Sequence, residues 1–253
     1  MKIAVLVKEV PDLEARVTIS QGGAGVEVEK KRVLNFFDEI AVEAALRLKA
    51  AGDTVYAVSA GSGRGADALK RALAMGADAA FLADDPALEE ADPLTVASAL
   101  AALLKREGFD LVLAGRQSTD DEEGLIAPMT AQLLGIPCVA GVTSLALEGG
   151  VATAGRETDG GSEKARVSLP ALFTAEKGLY EPRVPQVMGL MKAMKALVPK
   201  ATLADLGVTP GAPLKAVSYR GPKARPPVRF LDGAPAEAAA NLIQILKNEA
   251  KAL

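Results

Sequence analysis

The stretch GRQSTDDEEG at residues 115–124 carries the densest group of side chains that could take part in binding chemistry. It follows the apolar run LVLA and precedes LIAPMTAQLLG, which predicts a strand, a short loop and a helix. Loops between a strand and a helix N-terminus commonly bind phosphate through backbone N–H groups. Four adjacent carboxylates, Asp120 to Glu123, are an unexpected feature of such a loop.

Three interpretations of these carboxylates are open. Acidic residues in a first helical turn stabilise the helix by about 0.3–1 kcal/mol each through its dipole. Carboxylates also suit Mg²⁺, although four adjacent acids point in different directions and cannot all bind one ion. In the third interpretation, one carboxylate accepts hydrogen bonds from the ribose of a nucleotide. The backbone N–H groups of Gly124, Leu125 and Ile126 then bind its phosphate.

The composition weighs against several classes of protein. The chain has 253 residues, a net charge of −3, no His and a single Cys138, so neither a disulfide nor a plausible zinc site is available. Without His, a Ser–His or Cys–His nucleophile cannot be built, which weighs against a hydrolase but not against a protein whose chemistry belongs to a cofactor. The charge gives no reason to expect nucleic acid. No 18-residue apolar run predicts membrane insertion.

The N-terminus MKIAVLVKEVPD has a short apolar run that leads directly into Pro and Asp. It lacks a small-residue cleavage site, and it is therefore interpreted as a first strand rather than a signal peptide. A cytoplasmic location is the simplest expectation.

Strand-like and helix-like segments alternate up to residue 135 and predict an α/β fold, a mostly parallel sheet with helices on both faces. Asp38 is the expected N-cap of a helix over 37–52, which Gly52 ends. The expected strands are 2–8, 54–61, 79–85 and 110–115, with a hairpin from RVTIS and GVEVEK, and the other expected helices are 65–76, 93–108 and 121–135.

Beyond residue 138 short strands separated by Gly pairs predict either an extension of the sheet or a small meander beside it. We therefore expect an α/β domain over 1–177, with the short strands at 139–177. A segment rich in Pro, Met and Lys follows at 178–200. The last part, 201–253, is an arm with many prolines that ends in an amphipathic helix from 235. That arm either folds back on its own domain or clasps a partner.

Several motifs occur in the same order as in one known family. They are VLVKEVPD, NFFDEIAVEAALRLK, ALAMGAD, LVLAGRQSTDD, GRETDGGSEKARVSLPALFTA, and EPR before a Met/Lys stretch. The most specific is the R-x-x-D-G-G-x-E…L-P segment that runs from Arg156 to Pro170. The chain resembles, nearly end to end, the β subunit of electron-transfer flavoprotein of the bacterial, non-bifurcating type.

The resemblance implies a heterodimer with an α subunit that binds most of a redox-active FAD, while the β subunit binds a structural AMP. Such a protein is an electron carrier and not an enzyme by itself, and the resemblance implies no catalytic side chain and no metal in this chain. It takes electrons from flavin dehydrogenases, such as acyl-CoA dehydrogenases of fatty acid oxidation, and passes them to a membrane quinone oxidoreductase.

By position, the resemblance implies that Ser118 lies by the adenine, Asp121 by the ribose, and the N–H groups of 124–126 by the phosphate. The implied AMP neighbours are Leu6, Asn35, Phe36, Phe37, Asp38, Ala60, Gly115, Arg116, Gln117, Ser118, Thr119, Asp120, Asp121, Glu122, Glu123, Gly124, Leu125 and Ile126.

Two further sets of residues are implied in the same way. Glu157 would reach towards an α-subunit arginine beside the flavin, and Leu13 stands where some relatives have an aromatic ring near FAD. The segment 178–200 would be a partner recognition loop, in which 184–192 docks dehydrogenases. Its anchor would be Val187, and its adaptable contacts would be Met188, Leu190 and Met191.

The sequence also departs from the family pattern. GLIA at 124–127 replaces a run such as NQTG or QVG, which removes side-chain contacts to phosphate but keeps the backbone donors. Val187 and Met188 replace the usual Leu-Pro. Ala165 replaces a branched apolar residue, for which only a packing effect is expected.

Two alternatives therefore stay open. One is an electron-bifurcating relative with a second FAD in place of AMP, whose loop is usually DGDTAQVGP. The other is a stand-alone adenine-nucleotide-binding α/β domain, which would be expected to show SGGxD after the first strand, where this chain has KEVPD.

Overall fold

A computed structural model describes residues 1–63, 65–212 and 215–252. The chain forms two compact units, of which the first spans Met1–Ser218 and the second begins at Tyr219.

The first unit is built on one large sheet with two short hairpin-like pairs. Its strands are β1 (Lys2–Leu6), β2 (Glu9–Pro11), β3 (Val17–Ile19), β4 (Val26–Val28), β5 (Arg32–Leu34), β6 (Thr54–Gly61), β7 (Ala79–Asp84), β8 (Leu111–Gly115), β9 (Cys138–Glu148), β10 (Val151–Thr158), β11 (Gly161–Ser168), β12 (Ala171–Ala175) and β13 (Lys200–Ala201). Its helices are α1 (Phe36–Leu48), α2 (Ala66–Met75), α3 (Pro93–Glu107), α4 (Ile126–Leu134) and α5 (Val187–Lys195).

The large sheet has the order β11-β10-β9-β12-β8-β1-β6-β7-β13. In this order, each neighbouring pair from β9 to β13 is parallel. The pairs β9–β10 and β10–β11, at one edge of the sheet, are antiparallel. The expected α/β fold class is therefore confirmed. The short strands after residue 138 extend the sheet, and β12 returns to lie between β9 and β8.

Helices cover both faces of this sheet, which is why its central strands β1 and β8 consist almost entirely of apolar residues. Along β1, Ile3 and Val5 point to the core that contains α1 and α2. Ala4 and Leu6 point to the core formed with α3 on the opposite face. The side-chain alternation of a strand thus divides one apolar run between two cores.

Two helix starts differ from the sequence prediction. Asn35, not Asp38, is the N-cap of α1, and Asp38 lies inside the first turn. The helix expected over 121–135 begins only at Ile126. Glu122 and Gly124 have φ values of 55° and 64°, which a right-handed helix excludes. The acidic residues therefore lie in a turn before α4, not in its first turn, so helix-dipole stabilisation within that first turn does not explain them.

The second unit contains α6 (Pro235–Asn248), where an amphipathic helix was expected from 235. None of its residues is buried. An ion pair between Arg229 and Glu249, 3.0 Å apart, joins the segment before the helix to its C-cap. Among the helices of the described residues, none is long and apolar enough to cross a membrane.

Candidate functional site

A cleft of about 360 Å³ opens at the carboxyl ends of β1, β6 and β8. Ligands of open parallel sheets gather at this edge. The N-terminal parts of α1, α3 and α4 complete the walls. The loop 115–124, which holds the acidic residues, forms one side.

Most residues expected near a nucleotide line this cleft. Those that do are Leu6, Asn35, Asp38, Ala60, Gly115, Arg116, Gln117, Ser118, Asp121, Glu123, Gly124, Leu125 and Ile126. The other expected residues are outside its lining, namely Phe36, Phe37, Thr119, Asp120 and Glu122. Several lining residues had not been expected: Val7, Lys8, Leu88, Glu89, Ala91, Pro93, Val96, Leu100, Ala114 and Ala127.

Asn35 fixes the middle of the 115–124 loop. Its side chain is buried, its Nδ2 donates to the Gln117 carbonyl at 2.8 Å, and its Oδ1 accepts from the Thr119 N–H at 3.2 Å. Both polar atoms of the Asn35 amide therefore form hydrogen bonds with the backbone of the loop. The contribution of Asn35 to the cleft is to hold the loop in shape.

Asp38 joins the ends of two strands. Its Oδ2 accepts from the Lys8 N–H at 2.8 Å and its Oδ1 from the Gly115 N–H at 3.0 Å. Burial raises the pKa of this carboxyl from its ordinary value of 3.8 to about 7, although those N–H groups favour the charged form. A Cβ on Gly115 would lie 2.3 Å from Asp38 Oδ1, so only glycine allows this close approach.

Lys8 explains part of the acidic stretch. Its Nζ donates to Asp120 Oδ1 at 2.8 Å, to Asp121 Oδ2 at 2.9 Å and to Ser118 Oγ at 3.1 Å. Burial alone would lower the pKa of Lys8, but its two carboxylate partners outweigh burial and raise it. Burial would likewise raise the pKa of Asp121, whereas Lys8 and Ser118 hold it below its ordinary value. The cluster is therefore charged near neutral pH, with one cation facing the two carboxylates of Asp120 and Asp121.

The segment that leads into α4 presents unpaired donors to the cleft. Within the described residues, the backbone N–H groups of Gly124, Leu125, Ile126 and Ala127 have no hydrogen-bond acceptor in the chain. All of these residues line the cleft, and α4 follows with its positive dipole end towards it. Such a segment suits an anion, and phosphate in particular.

The opposite wall is apolar. It is formed by Leu88, by Val96 and Leu100 of α3, and by Ala60 at the end of β6. The flat face of an aromatic group can pack against such a wall, because ligand clefts combine apolar lining with a few placed polar groups.

The acidic stretch was also considered as a magnesium site. In the part of the chain that the structure describes, no three His, Cys, Asp or Glu residues are placed to hold a metal ion. Asp120 and Asp121 face Lys8 instead.

A second feature is the exposed apolar surface of α5. Gly189 and Ala193 face the body of the protein, where a Cβ on Gly189 would lie 2.5 Å from the Ala74 carbonyl oxygen of α2. The outward residues are large and apolar, with Met188 exposed to 81% and Val187 to 72%. The others on this surface are Val184, Leu190, Met191, Met194 and Leu197.

Comparison with known proteins assigns the family. The profile of the "Electron transfer flavoprotein domain" matches residues 24–206. The electron transfer flavoprotein subunit beta of Bacillus subtilis is 36% identical over 258 residues, covering all of both chains. That of Sus scrofa is 38% identical over 230 residues, 89% of this chain and 90% of its own.

The chain belongs to the electron transfer flavoprotein family. The β subunit of Bradyrhizobium diazoefficiens, 36% identical over the whole of both chains, agrees with this assignment. This assignment confirms the resemblance seen in the sequence motifs. It also confirms the expected description of the chain by the words electron transfer and flavoprotein.

The residues that the electron transfer flavoprotein resemblance placed near a flavin lie away from the cleft lining. Leu13 is in the turn after β2 and is 72% exposed. Glu157 is near the end of β10, opposite Ser162 of β11, and its neighbour Arg156 pairs with Glu163 at 2.8 Å. Both are on the surface, where a second chain has access to them.

Proposed function

We propose that this chain is the β subunit of a heterodimeric electron-transfer flavoprotein that binds AMP in the cleft and supports an FAD held mainly by the α subunit. The observation that carries the AMP assignment is the row of unpaired N–H groups from Gly124 to Ala127 in a cleft with an apolar wall. One anion site beside one apolar slot suits a nucleoside monophosphate.

The placement of AMP follows from these walls. The adenine lies between the apolar residues of α3 and the end of β6, and the phosphate accepts from the N–H groups before α4. The ribose then falls beside Asp121 and Glu123, whose carboxylates accept its hydroxyl hydrogens. The acidic residues thus serve the sugar, and Lys8 limits their repulsion of the phosphate.

The loop sequence favours AMP over a second FAD. Residues 120–128 read DDEEGLIAP, whereas the loop of bifurcating relatives is usually DGDTAQVGP. For that reason we rank the electron-bifurcating alternative second. A stand-alone nucleotide-binding domain ranks third, because it leaves the exposed apolar surface of α5 without a task.

FAD, when bound, supplies the redox chemistry, and no catalytic side chain is assigned to this chain. Glu157 pairs with an arginine of the α subunit and helps to orient the flavin domain, and Leu13 contributes an apolar contact near FAD. The proposed location is the cytoplasm.

The apolar surface of α5 is the proposed docking site for flavin dehydrogenases such as acyl-CoA dehydrogenases. Val187 acts as the anchor that enters a pocket of the donor, and Met188, Leu190 and Met191 adapt to different donors. A membrane quinone oxidoreductase is the proposed acceptor.

Rapid mixing of the purified heterodimer with a reduced acyl-CoA dehydrogenase tests electron transfer. Bleaching of the heterodimer's flavin without added NADH supports the carrier. Val187→Glu is expected to abolish this reaction at low donor concentration, while Leu133→Glu on the exposed side of α4 leaves it unchanged. Flavin reduction by NADH alone would support the bifurcating alternative.

A further inference from the structure

A buried carboxylate outside the nucleotide cleft has no part in the function proposed so far. Glu43 lies in the middle of α1 and is only 1% exposed. A buried charge requires close partners of opposite sign. Its partners therefore show which parts of the fold it holds together.

Two arginines share this carboxylate. Arg183 binds it with two nitrogens, Nε at 2.6 Å from Oε2 and Nη2 at 3.1 Å from Oε1. Arg47, one turn further along α1, donates from Nε to Oε1 at 2.7 Å. Burial would raise the pKa of Glu43, but the two guanidinium groups outweigh it and lower the pKa, so the carboxylate stays charged at neutral pH.

Arg183 belongs to the segment that leads from β12 to α5, and this segment is held at a second point. The guanidinium carbon of Arg47 lies 5.0 Å from the centre of the Tyr180 ring. Leu179, just before it, is buried in the core. One connected group therefore joins α1 to this segment, and it consists of Glu43, Arg47, Tyr180 and Arg183.

Two features hold α5 against the body of the protein: the pairing of Arg183 with Glu43 before the helix, and the packing of the helix itself on α2. A cleft of about 580 Å³ lies among α1, α2 and the segment 183–186, and Glu43 and Arg183 both line it. Beyond the cleft, α5 contacts α2 through Gly189, and Ala193 is the buried residue of the helix. The direction in which Val187 and Met188 are presented therefore depends on Arg183, four residues before the helix starts, together with the contact of Gly189 with α2.

We propose that Glu43 is a positioning residue for donor recognition: through Arg183 it sets the start of α5 and so the orientation of the apolar docking surface. This inference rests on the proposed role of α5 and adds the internal residue that controls it. Glu43 touches neither the donor nor a nucleotide.

Glu43→Gln keeps the shape of the side chain and removes the charge that both arginines share. We expect the KM of a donor dehydrogenase for the heterodimer to rise about tenfold, a typical loss for a displaced interface anchor. The kcat and the bound FAD and AMP should stay within about twofold, because the electron path and the cleft are untouched. Trypsin should also cleave α5 faster at Lys192 and Lys195.

Glu39→Gln is the matched control, since Glu39 lies one turn earlier on α1 and pairs with Arg71 at 3.1 Å. It should leave the KM unchanged. If Glu43→Gln does not yield folded heterodimer, Arg183→Lys provides the second variant, because lysine keeps the charge but cannot bind both carboxylate oxygens. Its KM should rise about threefold to tenfold, with kcat retained.

Two results would overturn the inference. One is an unchanged KM in a folded Glu43→Gln or Arg183→Lys heterodimer. The other is a fall in kcat equal to the loss in kcat/KM, which would place the effect on electron transfer. A wild-type heterodimer that accepts electrons from no flavin dehydrogenase would contradict the proposed function itself. That result differs from the two results above, which concern only the variants.

Discussion

At the residue scale, Lys8 is the cation that pairs with the acidic loop. Lys8 comes from the end of β1 and reaches Ser118, Asp120 and Asp121, more than a hundred positions later in the chain. The parallel register of β1 and β8 brings the two loops together. Without Lys8, the carboxylates would repel both each other and a phosphate in the cleft.

Lys8→Met should therefore weaken AMP binding. We expect the Kd of the heterodimer for AMP to rise about tenfold, because a charge-assisted network is replaced by unpaired carboxylates. Isothermal titration of AMP into nucleotide-depleted protein measures it. Lys70→Met removes a lysine that pairs with Asp67 on the surface of α2 and is the control. Equal affinities for the two variants would contradict the role given to Lys8.

Gly115→Ala should destabilise the protein. The added Cβ would lie 2.3 Å from Asp38 Oδ1 and 2.7 Å from Phe37 Cβ, so the start of α1 must move. Overpacking of this kind costs about 1–3 kcal/mol of unfolding free energy. Gly160→Ala meets no atom within 4 Å and should stay within about 0.5 kcal/mol of wild type. Urea unfolding of both variants decides the matter, and similar midpoints would disprove the close approach.

Asp38 should give stability a measurable pH dependence. Its pKa is about 7 in the folded state against an ordinary 3.8, so the folded state binds a proton that the unfolded state releases. The unfolding free energy should therefore fall as pH rises from 4 to 7, by at most about 1.4 kcal/mol per pH unit, and level off above that range.

Asp38→Asn isolates this effect, since an amide does not titrate in the range. Urea titration from pH 4.5 to 8 measures the unfolding free energy of wild type and variant. As pH rises, the wild type should lose stability relative to the variant. Titrations of the α subunit cancel in the difference. A difference that does not change with pH would show that Asp38 keeps an ordinary pKa.

At the element scale, the sheet could be predicted from sequence because its strands are short apolar runs between clear helix patterns. The exact start of α4 could not. Asp and Glu are typical of a first helical turn, and only the backbone of Glu122 and Gly124, with positive φ, shows that the helix starts later. The hydrogen-bonding role of Asp38 could not be predicted from local sequence either. Local sequence predicts an N-cap, whereas the Asp38 side chain accepts from the backbone N–H groups of Lys8 and Gly115, which are distant in sequence.

Lys8 could not be predicted as a site residue, because nothing in the KEVPD segment itself indicates a partner of the acidic loop. The strand order that places β1 beside β8 is a tertiary property, and no local pattern specifies it. The residues of α3 that line the cleft, such as Val96 and Leu100, were missed for the same reason. They look like ordinary core positions of an amphipathic helix.

The α5 helix gives a prediction in which two effects oppose each other. Gly189→Ala should stabilise an isolated helix by about 1 kcal/mol. Here the new Cβ would lie 2.5 Å from the Ala74 carbonyl oxygen and push α5 away from α2. Because backbone cannot give way easily, we expect the clash to dominate and the donor KM to rise about fivefold. Gln132→Ala, exposed on α4, is the control, and an unchanged KM for Gly189→Ala would contradict the packing.

At the scale of the whole molecule, the chain divides its tasks between its parts. The first unit contains the cleft at the carboxyl ends of the strands, which we propose binds AMP, and the proposed docking surface on α5. The second unit contains a helix with no buried residue, in which Leu242 and Ile243 are each 46% exposed. We propose that this arm clasps the α subunit, since an apolar helix surface of this kind needs a partner.

The central claim, an AMP-binding β subunit of a one-flavin carrier, is tested most directly by nucleotide content. The chain is co-expressed with its α subunit, the purified complex is denatured, and the released nucleotides are identified by chromatography. We predict FAD and AMP in equal amounts, and in Lys8→Met a reduced amount of AMP with FAD retained. Two FAD per complex and no AMP would contradict the account and support the bifurcating alternative.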